Sequence, residues 1–312
     1  MRPPLSERAS GRWKSILPLV GIPASFLTGK HGPCPFCGGK DRWRFIDRNA
    51  SGTWICSQCG SGDGAELVKR FHRIEFREAA ERIEAVIGKA VEIPARKEKP
   101  EAVLRAAMRR VWESGKPLTA ECVAGKYLAS RNLRWDFNCG ALRFCDGLAY
   151  DRLSRFAAML AKVTARDGTP VNVLRTYLTA DGTKAPVDPV RKLMEGSLPP
   201  GSAIRLAKVG TAMGVAEGIE TAMSAALLFK LPVWAAVNAR NLAKFTPPPG
   251  VSALAVFADH DESYTGQAAG FELAKRLVRE GIAVTVRMPE TMGQDFNDVL
   301  RGQLGWLSLT VF

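Results

Sequence analysis

The sequence predicts a multidomain α/β chain: a small β-rich ribbon at the N-terminus, an α+β middle region, and a C-terminal region built on a mostly parallel sheet flanked by helices. Three observations carry this. Four of the seven cysteines fall in two tight pairs between positions 34 and 59. Residues 156–178 hold two apolar, β-branched runs, with Asp167-Gly168 and Asp181-Gly182 where hairpin turns belong. The last third alternates strand-like and helix-like patterns, as parallel strands with crossover helices require. At 312 residues there is room for two such units and a small metal-stapled one.

The first 21 residues carry only a short apolar stretch and no small-residue cleavage pattern, so no secretory signal is expected. No apolar run approaches the roughly 20 residues of a membrane span. The cysteines do not form the even framework of a secreted disulfide scaffold, and a reducing cytoplasm fits best. Lysine and arginine outnumber acids by 44 to 31, a formal charge of +13 with a pI near 9.6. Such a balance favours an anionic partner such as nucleic acid.

Cys34-Pro-Phe-Cys37 and Cys56-Ser-Gln-Cys59 give the spacing C-x2-C-x18-C-x2-C, which brings four thiolates to one tetrahedral zinc. Gly38-Gly39 and Gly60 follow the pairs and supply the backbone freedom of tight knuckles. Four protein ligands leave no open position for substrate, so one structural Zn2+ is expected. His31 is left as a surface residue. Between the knuckles, two-residue periodicity puts Arg42 and Arg44 on one strand face, suited to phosphate, and Trp43 and Phe45 on the other. These aromatics and Trp54 either stack on unpaired bases or form the core of so small a domain. Two helices follow, 65–71 led by Asp63 as cap, and 76–87. Residues 91–100, VEIPARKEKP, combine prolines with charge and no periodicity, as a linker does.

From 101 to about 151 the pattern reads as mostly helical, with Val103, Ala107, Val111 and Trp112 at helical spacing, before the hairpin-rich stretch begins. The last third reads as strand 212–216, helix 219–229, strand 233–237, strand 254–258, helix 267–279 and strand 283–287. The resulting partition is 1–90 ribbon with trailing helices, 91–100 linker, 101–205 α+β, and 206–312 parallel sheet. Three acidic clusters follow strands: Glu217-Gly218, Asp259-His260-Asp261, and Asp295-Phe296-Asn297-Asp298. In open parallel sheets the carboxyl ends of the strands form the ligand crevice, where the clusters can converge. Converging carboxylates offer Mg2+ or Mn2+ a site with room for phosphates. Taken singly, each acid reads more readily as a solvated loop residue or a helix cap, and it is the set of three clusters that points to a site.

At these residues the chain resembles the Toprim family of bacterial and phage primases, topoisomerases and certain nucleases: a strand ending in Glu-Gly, a later strand ending in Asp-x-Asp, then Gly293-x-Asp295-x-Asn297-Asp298. The ribbon, with Gly64-Ala65-Glu66-Leu67-Val68 and Glu78-Ala79-Ala80, resembles that of phage and plasmid primases and primase-helicases. The segments 175–178 and 181–185 look like the region that precedes Toprim in primases of phages and mobile elements. The resemblance implies a DNA primase that uses nucleoside triphosphates on a single-stranded DNA template, with one or two catalytic Mg2+ or Mn2+ ions. It implies Glu217 nearest the reacting groups, and Asp259, Asp261, Asp295 and Asp298 as catalytic or metal-holding acids. Arg175, Lys184, Arg191 and Lys192 join Arg42, Trp43 and Arg44 as candidate template or nucleotide contacts. Many primases place an aspartate four residues after the glutamate, whereas here Glu220 stands at three and Thr221 at four. Asn297 stands where some relatives have an aspartate, which would make one ligand neutral. With no G-x-x-x-x-G-K-[ST] loop, any helicase is expected to be a separate protein. Two other readings share these residues: a metal-dependent Toprim nuclease, and a catalytically silent DNA-binding accessory protein.

Overall fold

The structure, a computed structural model, describes residues 3–91, 99–133, 139–302 and 305–311. The chain divides into two compact units, Met1–Glu98 and Lys99–Phe312. The segment expected to be a linker falls largely on 92–98, outside the described residues.

In the first unit, helices α1 (Leu5–Ala9) and α2 (Trp13–Leu19) precede a four-stranded antiparallel sheet of β1 (Gly32–Cys34), β2 (Gly38–Phe45), β3 (Trp54–Cys56) and β4 (Gly60–Gly62), in that order. Helices α3 (Gly64–His72) and α4 (Phe76–Ile87) follow. Asp63 caps α3 by accepting the Glu66 N–H at 2.8 Å, and Ala79, Ile83 and Ile87 recur at four-residue spacing on the buried face of α4. Trp13, Ile16 and Leu17 of α2 join Trp43, Trp54, Leu67 and Ile83 in one core. The two N-terminal helices were not expected. Both are short, and α2 contains Pro18, so neither displays a clear helical period.

The second unit holds two sheets. The first is antiparallel: β5 (Lys116–Pro117), β6 (Leu142–Ala149), β7 (Arg155–Thr164), β8 (Pro170–Leu178) and β9 (Arg191–Leu193), in sequence order, with helices α5 (Glu101–Glu113) and α6 (Val123–Ser130). Asp167-Gly168 turns the chain between β7 and β8, with Gly168 at φ 93°, and Asp181-Gly182 turns it between Leu178 and Lys184, which form a bridge. The expectation that 101–151 is mostly helical is corrected over 142–149. There Leu142 and Phe144 are buried while Arg143 and Cys145 are half-buried, the two-residue alternation of a strand.

The second sheet takes the order β11 (Val233–Ala235), β10 (Ala212–Ala216), β12 (Ala253–Phe257), β13 (Ala283–Pro289), β14 (Trp306–Val311), all parallel except β14. Helices α7 (Ile219–Phe229), α8 (Ala239–Ala243), α9 (Thr265–Arg279) and α10 (Phe296–Leu300) complete the unit. Strand β11 ends at Ala235, short of the expected Val237, whose φ of 77° breaks the extended run. Alternate residues of β10 and β12 enter two cores: Ala216 and Phe257 join Ile219, Met223 and Phe296 on one face, while Met213, Val215, Leu254 and Val256 join Leu273 and Leu277 on the other. Because β11 and β12 lie on opposite sides of β10, the chain reverses its direction of sheet growth there. Such a switch point opens a crevice at the strands' carboxyl ends.

Candidate functional site

In the ribbon the four cysteine sulfurs lie within 4.8 Å of one another, the sole such metal-competent group among the described residues. The Cys34–Cys59 and Cys37–Cys56 separations are 3.9 and 3.7 Å. A tetrahedron with zinc–sulfur bonds of about 2.3 Å has edges of about 3.8 Å, so the geometry fits zinc. The Phe36 and Cys59 N–H groups donate to the sulfurs of Cys34 and Cys56 at 3.4 Å, and Gly38, Gly39 and Gly60 take φ of 70°, 81° and 86°. The cluster has the ligand set and geometry of a structural zinc site. His31 is exposed, its Nδ1 3.0 Å from the Asp41 carbonyl oxygen, and is outside the cluster.

Arg42 and Arg44 emerge on the outer face of β2. Arg42 donates to the Gln58 side-chain oxygen, and the exposed Arg44 donates to the Gly29 carbonyl at 3.0 Å. Trp43 is corrected as a base-stacking candidate. Its ring is 1% exposed, stacks on Trp54 at 5.0 Å, and donates its indole N–H to the Phe26 carbonyl at 2.7 Å. A ring that closes the core on both faces has no face to offer a base.

In the second unit, Ala216 of β10 and Phe257 of β12 are register partners, so Glu217 and Asp259 leave adjacent strands at nearly one level. His260 forms a backbone bridge with Gln294, its N–H donating at 3.2 Å, while the Gly293 N–H donates to the His260 carbonyl at 2.6 Å. This bridge brings the Asp295 segment beside the Asp259–Asp261 turn. Burial, then the charge of Asp259, pushes the Glu217 carboxyl up to about 7, against partial relief from Arg191. Burial, then Asp295, pushes Asp259 up to about 6, although the Thr221 hydroxyl donates to it at 3.1 Å. Burial works on Asp261 too, but donation from the Ser263 hydroxyl and the Gly266 and Thr265 N–H groups outweighs it and holds that carboxyl low. Crowded carboxylates that resist ionising together are relieved by a cation. These acids line the crevice, though no three of them among the described residues approach as closely as the cysteines do.

Asp295 and Asp298 form a capping box on α10: Asp295 accepts the Asn297 and Asp298 N–H groups at 2.7 and 3.2 Å, and Asp298 accepts the Asp295 N–H at 3.2 Å. Asn297 is corrected as a neutral metal ligand. It is 1% exposed, and its amide donates to the Arg131 carbonyl at 2.8 Å and to Ser224 at 3.1 Å.

The middle-sheet cations divide by face. Arg191 pairs with Thr176 in the register of β8 and β9, and Lys192 pairs with Arg175, so the neighbours Arg191 and Lys192 point oppositely. Arg191 faces the acids: its guanidinium is 3.7 Å from Glu220, and Glu220, Tyr127, Glu217 and Asp259 all favour its charge. Lys184 lies near Arg191, Glu220 and Asp295, and burial, then Arg191, lowers its pKa. Arg175 and Lys192 serve the other face. Arg175 donates to the Lys192 carbonyl at 3.3 Å and the Leu193 carbonyl at 2.8 Å, and the Lys192 ammonium sits over the Tyr150 ring at 3.2 Å. Both therefore lie on the sheet face opposite Arg191. Three partners of the site had not been singled out as contributors: Tyr127, Arg131 and the Thr221 hydroxyl.

Residues 29–65 match the zinc-binding domain of primase-helicase, residues 212–304 match the Toprim domain, and residues 102–206 match a domain of unknown function. The chain carries a zinc-binding domain of the primase-helicase type followed by a Toprim domain. The Toprim match spans all three acidic clusters, and the primase-helicase match spans all four cysteines. Similar solved structures include the zinc-binding and RNA polymerase domains of the Aquifex aeolicus primase (13% identity, 98% of this chain and 87% of that one, TM-score 0.42). The primase fragment of the bacteriophage T7 primase-helicase protein is 18% identical over 88% of this chain and 95% of that one, with TM-score 0.41. A DNA primase domain from Pseudomonas aeruginosa is 13% identical over 65% and 75%, with TM-score 0.43.

Proposed function

We propose that this chain is a template-directed primase that joins nucleoside triphosphates into short RNA, or mixed RNA and DNA, primers on single-stranded DNA. The observation that carries the reading is the four-cysteine ribbon of primase-helicase type ahead of a Toprim sheet whose switch point gathers Glu217 and Asp259. Glu217, Asp259, Asp261 and Asp295, with Asp298 at the margin, are the residues that would hold divalent metal. Bound Mg2+ or Mn2+ would supply charge neutralisation at the α-phosphate and a more acidic primer hydroxyl. Arg191 and Lys184 bring positive charge against those acids and orient the phosphates. Thr221 fixes one oxygen of Asp259, and the Ser263, Thr265 and Gly266 donors keep Asp261 ionised. In the ribbon, Arg42 and Arg44 take template phosphates, a sequence-independent contact that salt weakens.

The domains of this primase run 1–90, 101–205 and 206–312, with 91–100 linking the first to the second. It serves replication of a phage, plasmid or other mobile element in a cytoplasm. No helix among the described residues is long and apolar enough to cross a membrane. The test is incubation with single-stranded DNA, labelled nucleotides and magnesium or manganese, comparing wild type with Asp259→Ala on a sequencing gel. Short products made without a primer, and lost in the variant, are expected. Shortened DNA would replace this reading with a nuclease, and DNA binding with neither product would leave an accessory role.

A further inference from the structure

Glu220 is a deeply buried carboxylate, 4% exposed, and the catalytic roles above leave it unused. It stands on the first turn of α7, at the position nearest to the family's second acid, which invites its assignment as a metal ligand. Its surroundings point elsewhere. The Tyr127 hydroxyl, itself on a residue 2% exposed, donates to one Glu220 oxygen at 2.6 Å. The other oxygen faces Nη2 of Arg191 at 3.7 Å. Burial alone would push this carboxyl up, yet Arg191 and the Tyr127 hydroxyl outweigh it and hold it below the usual range. An ionised carboxylate sealed from water needs such partners, and removing one leaves the other's charge stranded.

The geometry then assigns the rest of Arg191. Its side chain remains 38% exposed, so the 3.7 Å approach of Nη2 to Glu220 leaves part of it accessible. Nη1 lies 3.5 Å from where a Cβ on Gly218 would stand, placing it over the strand-to-helix turn that carries Glu217. A guanidinium is a planar fork whose two edges can serve two oxyanions at once. We propose that Glu220, braced by Tyr127, is a positioning residue that holds Arg191 at the crevice so that its accessible part binds the polyphosphate of the incoming nucleotide. The choice of nucleotide rests on the primase reading, in which the neighbouring acids and their metal receive the same phosphates.

The experiment uses the full chain as wild type, Glu220→Gln, Tyr127→Phe, Arg191→Ala and the Glu220→Gln/Arg191→Ala double variant. Tyr127→Phe removes a single oxygen and reports even if Glu220→Gln does not fold. Four quantities are measured: ATP affinity by calorimetry in EDTA, Mn2+ affinity by electron paramagnetic resonance without nucleotide, single-stranded DNA affinity by anisotropy, and KM and kcat for primer synthesis. Expected are a loss of ATP affinity of about ten-fold in Glu220→Gln, a smaller loss in Tyr127→Phe, and no further loss when Glu220→Gln is added to Arg191→Ala. Mn2+ and DNA affinities stay at the wild-type level, and KM rises with little change in kcat. A fall in Mn2+ affinity would make Glu220 a metal ligand and overturn the proposal. So would a loss of DNA affinity with ATP affinity kept, which would assign Arg191 to template phosphate. If wild type makes primers and ATP affinity is unchanged in the variants, this inference alone is lost. If wild type neither binds ATP nor makes primers, the primase reading falls with it.

Discussion

Replacing Glu217 by glutamine keeps the shape of the side chain and removes its charge, and in metal-free protein the structure sets both the sign and the size of the effect. Burial and the charge of Asp259 move this carboxyl from the ordinary 4.5 to about 7. The folded chain therefore keeps a proton that the unfolded chain releases, so the destabilisation from Glu217 is absent below about 4.5, grows as pH rises, and is complete above about 7. The gap corresponds to roughly 3 kcal/mol. In EDTA at pH 8, Glu217→Gln is expected to be more stable than wild type by roughly that amount, with the advantage vanishing towards pH 4.5. The assay is urea unfolding of both proteins across this range, followed by signals of the second unit. Adding magnesium at pH 8 should stabilise wild type and leave the variant nearly unmoved, closing the gap. A variant less stable than wild type at pH 8, or a difference that ignores pH, would refute the crowding of Glu217 and Asp259.

Three further outcomes follow from the same geometry. Cys56→Ser should reduce bound zinc, measured by mass spectrometry of the purified protein, from one per chain to none, and abolish the cooperative melting of the ribbon. A Cβ on Gly266 would stand 2.7 Å from the Asp259 carbonyl oxygen, so Gly266→Ala should displace the Asp259–Asp261 turn. It should cost about 1–3 kcal/mol in unfolding experiments and remove most primer synthesis. Trp43→Ala should destabilise the ribbon by about 3–5 kcal/mol, whereas Arg44→Ala should leave its melting unchanged and lower both DNA affinity and the salt dependence measured by anisotropy.

Much of the scaffold was visible in local pattern, because strand and helix periods and cysteine spacing are short-range signals. Strands β10, β12 and β13, helix α7 and the four-cysteine cluster could be read that way. The paired readings of single acids were harder. Asp261 and Asp295 do what helix caps do, holding the starts of α9 and α10, while also lining the crevice. Helix α10 has five residues, fewer than two turns, so its start carried no period to mark it. The division of the basic residues depended on strand facing: the alternation that separates Arg191 from Lys192 was hidden until β9, three residues long, had a partner and a register. Tyr127 lies 93 residues from Glu220, and nothing in its own neighbourhood announces that its hydroxyl meets a buried acid.

Leu142, Phe144, Met159 and Leu174 of the antiparallel sheet share one apolar core with Ala216, Ile219, Met223 and Phe257 of the parallel sheet. Recombination, in nature or in the laboratory, meets a constraint there. A crossover between the two sheets would join halves whose inner faces had not adapted to each other, leaving voids or clashes. The exchangeable module is therefore the whole stretch from α5 to β14, while the ribbon, with its own core, can be traded separately.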